Sequence, residues 1–355
     1  MAPRRPQRLE ISKLWPSPLR RTAAATSVMH RVTRRLVGLQ RPVPLANRER
    51  YGVTYERNIE YIRGSKENTV DIYRPAGRTD TLPVLMYVHG GGFHMLSKDS
   101  HWPLTVAYAR QGFLVVSVDY RLAPKHPYPA AIADVCAAAV WVKKNIERYG
   151  GDPNQITFAG ESAGGNLVTA LTIACSFERD ELYARAAYEA DIQPKAVIAA
   201  CGILQVSDPG RFRRRRNARI PPWVTMYIHM VCGTYLDGKT LKSRSGASLA
   251  DPLLILEEDT KHTRPLPPFH AFVGTRDPLI HDTRRLAAAL ERRGTTCDDR
   301  YYKGGIHAFH VLLFQKIARD CWQEQFSFLK KHMPRAVPTE GELAPRTLET
   351  LFAEI

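Results

Sequence analysis

Four short stretches carry residues whose types and order could do acyl chemistry. "FAGESAGGN" (158–166) places Ser162 between Gly160 and Gly164. "HGGGF" (89–93) sets three glycines in a row, and Asp277 and His307 follow in "VGTRDPLIHD" and "YYKGGIHAFH". A serine hydroxyl is a weak nucleophile until a neighbouring base takes its proton. An imidazole can do so when a carboxylate orients it. The tetrahedral intermediate also needs N–H donors aimed at its oxyanion, which the backbone of Gly90, Gly91 and Gly92 could supply.

Two of these assignments have local competitors. Asp282 follows Asp277 closely but falls at the start of the next helix, where an N-cap role suits it. His310 follows His307 and reads as structural, because it opens a helix, whereas His307 lies in a Gly-rich loop. His89 belongs to the glycine loop, and a neutral imidazole supporting that loop fits it better than catalysis.

The elements that must position these residues read as an α/β sheet domain. "GVTYERNIEYI" and "NTVDIYRPA" predict two strands. "LPVLMYVHG", "FLVVSVDY", "KAVIAACGIL" and "PPFHAFVGT" are apolar runs suited to strands covered on both faces. "QITFAG" predicts a short strand running into Ser162, and "AGGNLVTALTIACSFERD" a helix leaving it. This strand–serine–helix order is the setting a nucleophile elbow requires. Helices are also expected over "YPAAIADVCAAAVWVKKNIERYG", "DTRRLAAALERRG" and a last segment reaching "WQEQFSFLKKHM", with "CDDRYYKGG" as the final strand.

The five ordered motifs "HGGGF", "VSVDYRLAPKHPYPAA", "GGDPNQITFAGESAGGN", "GTRDPLIHD" and "GGIHAFH" resemble the hormone-sensitive-lipase-like esterases of the α/β-hydrolase fold, over roughly residues 55–335. The resemblance implies a central, mostly parallel eight-stranded sheet flanked by helices, with a helical cap. It implies Ser162 as nucleophile, Asp277 as acid and His307 as base. Gly91 and Gly92 with the Ala163 amide take the part of oxyanion donors, Gly90 being a near alternative. Asp119, Tyr120 and Arg121 match a motif that braces the site. The family cap is built from an N-terminal segment and an insertion, places filled here by residues 1–50 and about 203–250. The catalytic domain is thus expected over 51–334, followed by a tail at 335–355. Phe93, Trp223 and Tyr227 are candidates for the substrate pocket. Trp223, Met226, Tyr227 and Met230 also fit a plain packing face between cap and core.

The reaction implied is hydrolysis of short-to-medium acyl esters, with no metal and no organic cofactor. An amidase, deacetylase or transacylase would use the same triad, and a small-molecule receptor would keep the fold without the chemistry. The 355-residue chain is 44% hydrophobic and 24% charged, an ordinary globular mixture. Its formal charge of +16 is concentrated. Residues 1–50 hold most of it, and much of the remainder lies in "RFRRRR" (211–216). The arm would suit an anionic membrane or polyanion contact, and its arginines also suit mitochondrial targeting. "RFRRRR" would suit recruitment of an acidic ester or an anionic membrane surface, and reads rather as a mobile, solvated loop. Zinc-finger and RNA-binding signatures are missing. Cys136, Cys175, Cys201, Cys232, Cys297 and Cys321 show no metal-ligand spacing and read as reduced thiols of a cytoplasmic protein. A small-molecule ester is the expected partner, with a homodimer left open.

Overall fold

A computed structural model describes residues 51–214, 220–237, 248–259 and 261–333. The basic arm, the 335–355 tail, Arg215, Arg216 and part of the 203–250 insertion lie outside the described residues. The strands are β1 (Val53–Glu60), β2 (Thr69–Pro75), β3 (Leu82–Val88), β4 (Leu114–Val118), β5 (Gly151–Glu161), β6 (Ala196–Ala200), β7 (Phe269–Gly274) and β8 (Cys297–Tyr302). The helices are α1 (Trp102–Ala109), α2 (Ala130–Asn145), α3 (Ala163–Ser176), α4 (Leu182–Glu189), α5 (Arg211–Arg214), α6 (Pro222–Tyr235), α7 (Pro252–Glu257), α8 (Ile280–Arg292) and α9 (Lys316–His332).

The strands form one eight-stranded sheet in the order β1-β2-β4-β3-β5-β6-β7-β8. β1 and β4 each run antiparallel to β2, and the other neighbours are parallel. Alternation along β3 builds two cores. Val84, Met86 and Val88 face one cluster with α2, α3 and α8. Leu85 and Tyr87 face the other, with α1 and α9. Both faces are covered, so these strands read as continuous apolar runs instead of alternating. Helix α3 is buried on every side, which explains its lack of a polar stripe.

Two boundaries beside Ser162 and its helix differ from the sequence expectation. β5 begins at Gly151, before "QITFAG", because the pairing with β3 skips from Asp152 to Ile156. Pro153 falls in that irregularity, where its missing N–H removes no ladder bond. The helix after Ser162 stops at Ser176 instead of continuing through Asp180. The Ser176 carbonyl accepts the amides of Thr263 and Arg264, a distant segment, and Phe177 turns extended. The chain then starts α4. Among the described residues no helix is long and apolar enough to cross a membrane.

Candidate active site

Parallel β3 and β5 are neighbours, so the loops at their carboxyl ends meet. Ser162 sits between β5 and α3 with φ 56° and ψ −114°, a left-handed backbone that is strained for a side-chain-bearing residue. The turn tolerates no bulk. A Cβ on Gly164 would lie 2.0 Å from the Val88 carbonyl oxygen. Gly91 adopts φ +107°, and a Cβ there would strike the Met95 carbonyl oxygen at 2.1 Å. The glycine loop therefore curls tightly over the end of β3.

His307 and Asp277 arrive from the other side of β6. Loops after β7 and β8 are bound together by Arg276 N–H to Gly305 O (2.9 Å) and Gly304 N–H to Thr275 Oγ1 (2.9 Å). The His307 Nδ1 lies 2.8 Å from Asp277 Oδ2, and its Nε2 lies 3.0 Å from Ser162 Oγ. A carboxylate only accepts, so the imidazole proton belongs on Nδ1, and Nε2 is left to accept the serine hydroxyl. Asp277 is buried and also accepts the Leu279 amide at 2.8 Å. The His307 side chain stays 40% exposed. Burial works against charge on His307, but the Asp277 carboxylate raises its pKa above the ordinary histidine value.

Asp282 is not the cap of α8, whose N-cap is Leu279. It lies fully buried one turn in, where it accepts the Leu204 amide at 3.0 Å and the Arg211 guanidinium at 2.6 Å. Arg211 and Phe212 are buried too, so the start of "RFRRRR" is an anchor and not a solvated loop. This pair ties the root of the insertion to α8. Removing one partner of a buried ion pair strands the other charge. Asp282→Ala is accordingly expected to lower unfolding free energy by about 3–5 kcal/mol. Urea unfolding measures it, and a loss below about 1 kcal/mol, the ordinary value of an exposed pair, would reject that role.

The insertion packs on the glycine loop through α6. The Phe93 and Tyr235 rings stack at 3.8 Å, and a Cβ on Gly92 would meet Val231 at 3.1 Å. Phe93 is therefore sealed under Tyr235, which corrects its assignment to a substrate pocket. Met226 is buried, while Tyr227 and Met230 are half-buried against the core, as a packing face would be. Tyr227 lies 6.2 Å from the His94 ring, and Trp223 remains 48% exposed.

His89 is buried, and its Nδ1 lies 2.7 Å from the Gly90 carbonyl. Tyr120 donates to the His89 carbonyl at 2.8 Å and stacks on its ring at 4.4 Å. Burial first, and the charge of His101 next, push the His89 pKa down to about 3, so the ring stays neutral. Asp119 accepts the Lys98 amide at 2.7 Å, and Arg121 grips Asp134. His310 is buried. Its carbonyl accepts the Trp322 indole at 3.0 Å, and burial pushes its pKa down to about 4.

Gly90 requires a correction. Its amide donates to the Glu161 carboxylate, so it is committed and cannot serve an oxyanion. Among the described residues the amides of Gly91, Gly92 and Ala163 have no such partner. The sequence reading also missed Cys201, which follows β6 and lies against His307. The donor atoms of Cys201, Asp277 and His307 all lie within 4.8 Å of one another. Burial raises the Cys201 thiol above its ordinary pKa, so it stays protonated. Asp277 and His307 already bond each other, and a metal ion there would have to break that contact.

Residues 85–311 match the family described as the alpha/beta hydrolase fold. The chain belongs to the α/β-hydrolase fold family. Carboxylesterase NlhH of Mycobacterium tuberculosis is 49% identical over 113 residues, 32% of this chain and 35% of that protein. The matched segment thus spans about a third of that relative. Carboxylic ester hydrolase LipN of the same species is 30% identical over 283 residues, 74% of this chain and 66% of that protein. The crystal structure of an esterase from the bacterial hormone-sensitive lipase family aligns with TM-score 0.65 at 23% identity, covering 87% of this chain and 92% of that one. The family resemblance carried by the five motifs agrees with these relatives, and the mostly parallel eight-stranded sheet is present.

Proposed function

We propose that this chain is a serine carboxylesterase acting on short-to-medium acyl esters. The observation that carries the reading is the Ser162–His307–Asp277 chain of contacts at 3.0 and 2.8 Å. In this reading His307 takes the Ser162 proton as Oγ attacks the ester carbonyl. The amides of Gly91, Gly92 and Ala163 hold the oxyanion. His307 then gives its proton to the leaving alcohol. Water, activated by the same imidazole, attacks the acyl-enzyme and releases the acid. Asp277 stabilises the imidazolium formed in each half-reaction without itself taking the proton. The ester-hydrolase names of the mycobacterial relatives support an ester over an amide. The domain limits proposed are a catalytic unit over 51–334 with a cap insertion at about 203–250.

The test is hydrolysis of p-nitrophenyl esters of increasing acyl length, with mass analysis of the peptide bearing Ser162. Turnover that falls beyond medium chains, with transient acylation of Ser162, is the expected result. Turnover without acylation of Ser162 would overturn it. The pH dependence follows from His307. Only the neutral imidazole is a base, and Asp277 keeps it protonated to higher pH than an ordinary histidine. Activity should therefore rise with pH, with the midpoint of the acid limb above about 6.5. A kcat/KM profile that is flat from about pH 5 to 9 would exclude His307 as that base.

A further inference from the structure

Glu161 and His101 form a buried ion pair that the acyl-transfer scheme does not use. Glu161 precedes Ser162 in the chain, and His101 stands just before α1. His101 Nε2 lies 2.8 Å from Glu161 Oε1. The same carboxylate accepts the Gly90 amide through Oε1 and the Tyr87 hydroxyl through Oε2. One side chain thus joins the nucleophile turn, the Gly90 amide of the glycine loop and the carboxyl end of β3.

The protonation state follows from the partners. His101 Nδ1 lies 3.1 Å from the Ser97 carbonyl oxygen and 2.9 Å from Ser100 Oγ. The Ser100 hydroxyl already donates to that same Ser97 carbonyl at 2.6 Å. Both ring nitrogens therefore face acceptors, and both must carry protons, so His101 is an imidazolium. Burial works against that charge, yet Glu161 and the Ser97 carbonyl raise the His101 pKa. Burial would raise Glu161, but His101 and Tyr87 hold it down at about 2. His89 of the glycine loop stacks over this imidazolium at 5.6 Å and stays neutral.

A buried ion pair contributes little net stability, because desolvation offsets much of the attraction. A hydrogen bond from a backbone amide to a carboxylate is, by contrast, short and strong. We propose that the Glu161–His101 pair is a positioning device. Glu161 clamps the Gly90 amide and so holds Gly91 and Gly92 in register with Ser162, and His101 keeps Glu161 ionised for that task. The catalytic consequence rests on the serine-esterase reading; the clamp itself does not. Uncharged Glu161→Gln keeps the shape but loses the charge-assisted bond, and it leaves the His101 cation without a counter-charge.

The experiment compares the full chain with Glu161→Gln, His101→Gln and the double variant. Amide exchange of the segment from Tyr87 to Met95 is followed by mass spectrometry. Kinetic constants for a p-nitrophenyl ester are measured alongside inhibition by a trifluoromethyl ketone, whose Ser162 adduct carries an oxyanion. Loss of a whole oxyanion donor costs about 10²–10³ in turnover. A displaced loop in Glu161→Gln is therefore expected to lower kcat by about 10–100-fold with KM little changed. Ketone affinity should fall in proportion to kcat/KM, and loop exchange should speed up. The double variant should recover part of the loss, since a neutral pair strands no charge. If Glu161→Gln does not fold, His101→Gln tests the same clamp from its other side. Unchanged loop exchange in the folded variants overturns the proposal, as does a kcat loss with no change in ketone affinity. Exchange is read without substrate. A wild type that hydrolyses no ester would thus refute the esterase reading, and the clamp would still be judged on exchange.

Discussion

Ser162→Ala is expected to lower kcat on p-nitrophenyl esters by about 10⁶, the scale on which removing a triad nucleophile acts. The hydroxyl is the atom that would form the acyl-enzyme, and among the described residues it is the group bonded to His307 Nε2. Cys201, the nearby thiol, is buried beside the ring and is held protonated. Residual rate would come from substrate binding and the oxyanion amides acting on water. The fold should survive. Alanine meets the same backbone strain at φ 56° that serine already meets, and the half-exposed His307 ring can bond water in place of Oγ. The check is kcat for both proteins, with their melting temperatures measured together. A folded Ser162→Ala protein that keeps more than about a hundredth of wild-type turnover would remove Ser162 from the mechanism.

Asp277→Asn is expected to cost about 10⁴ in kcat while changing stability little. The asparagine oxygen can still accept the Leu279 amide, so the loop keeps its tie. Its NH₂ group then faces His307 Nδ1 where a carboxylate oxygen stood. A donor there favours the tautomer with the proton on Nε2, which points at Ser162 Oγ. That imidazole cannot take the serine proton. The prediction also separates the two acids of "GTRDPLIHD". Asp277→Asn should remove turnover from a stable protein, whereas Asp282→Ala should weaken a protein whose active fraction still turns over. If the two effects were exchanged, the assignment of acid and anchor would be reversed.

Local order carries the fold a long way. Short continuous apolar runs bounded by turn residues and alternating with helical periods suit strands covered on both faces, so an α/β sheet was legible from the chain alone. The glycines around Ser162 and in "HGGGF" were legible from local geometry too, since a turn packed so closely that a Cβ on Gly164 would lie 2.0 Å from a carbonyl oxygen excludes any side chain at that point. The helix break at Ser176 was not legible, because the carbonyl there is satisfied by amides 87 or more residues away.

Side-chain partnerships divide in the same way. Residue types and their order along the chain were enough to nominate Ser162, Asp277 and His307, because the chemistry needs a nucleophile, a base and an orienting acid after specific strands. Which of Asp277 and Asp282 meets the histidine was decided only when the β7 and β8 loops came together. The same holds for the Gly90 amide, which the sequence offers as an oxyanion donor and the folded chain commits to Glu161. Phe93 has an apolar ring whether it lines a pocket or lies under Tyr235, and only the packing of α6 distinguishes the two. Turn geometry and strand burial are properties of neighbouring residues, so the sequence by itself determines them. A hydrogen bond between residues 71 positions apart, or a ring stack between residues 142 apart, exists only once the sheet has brought its strands side by side.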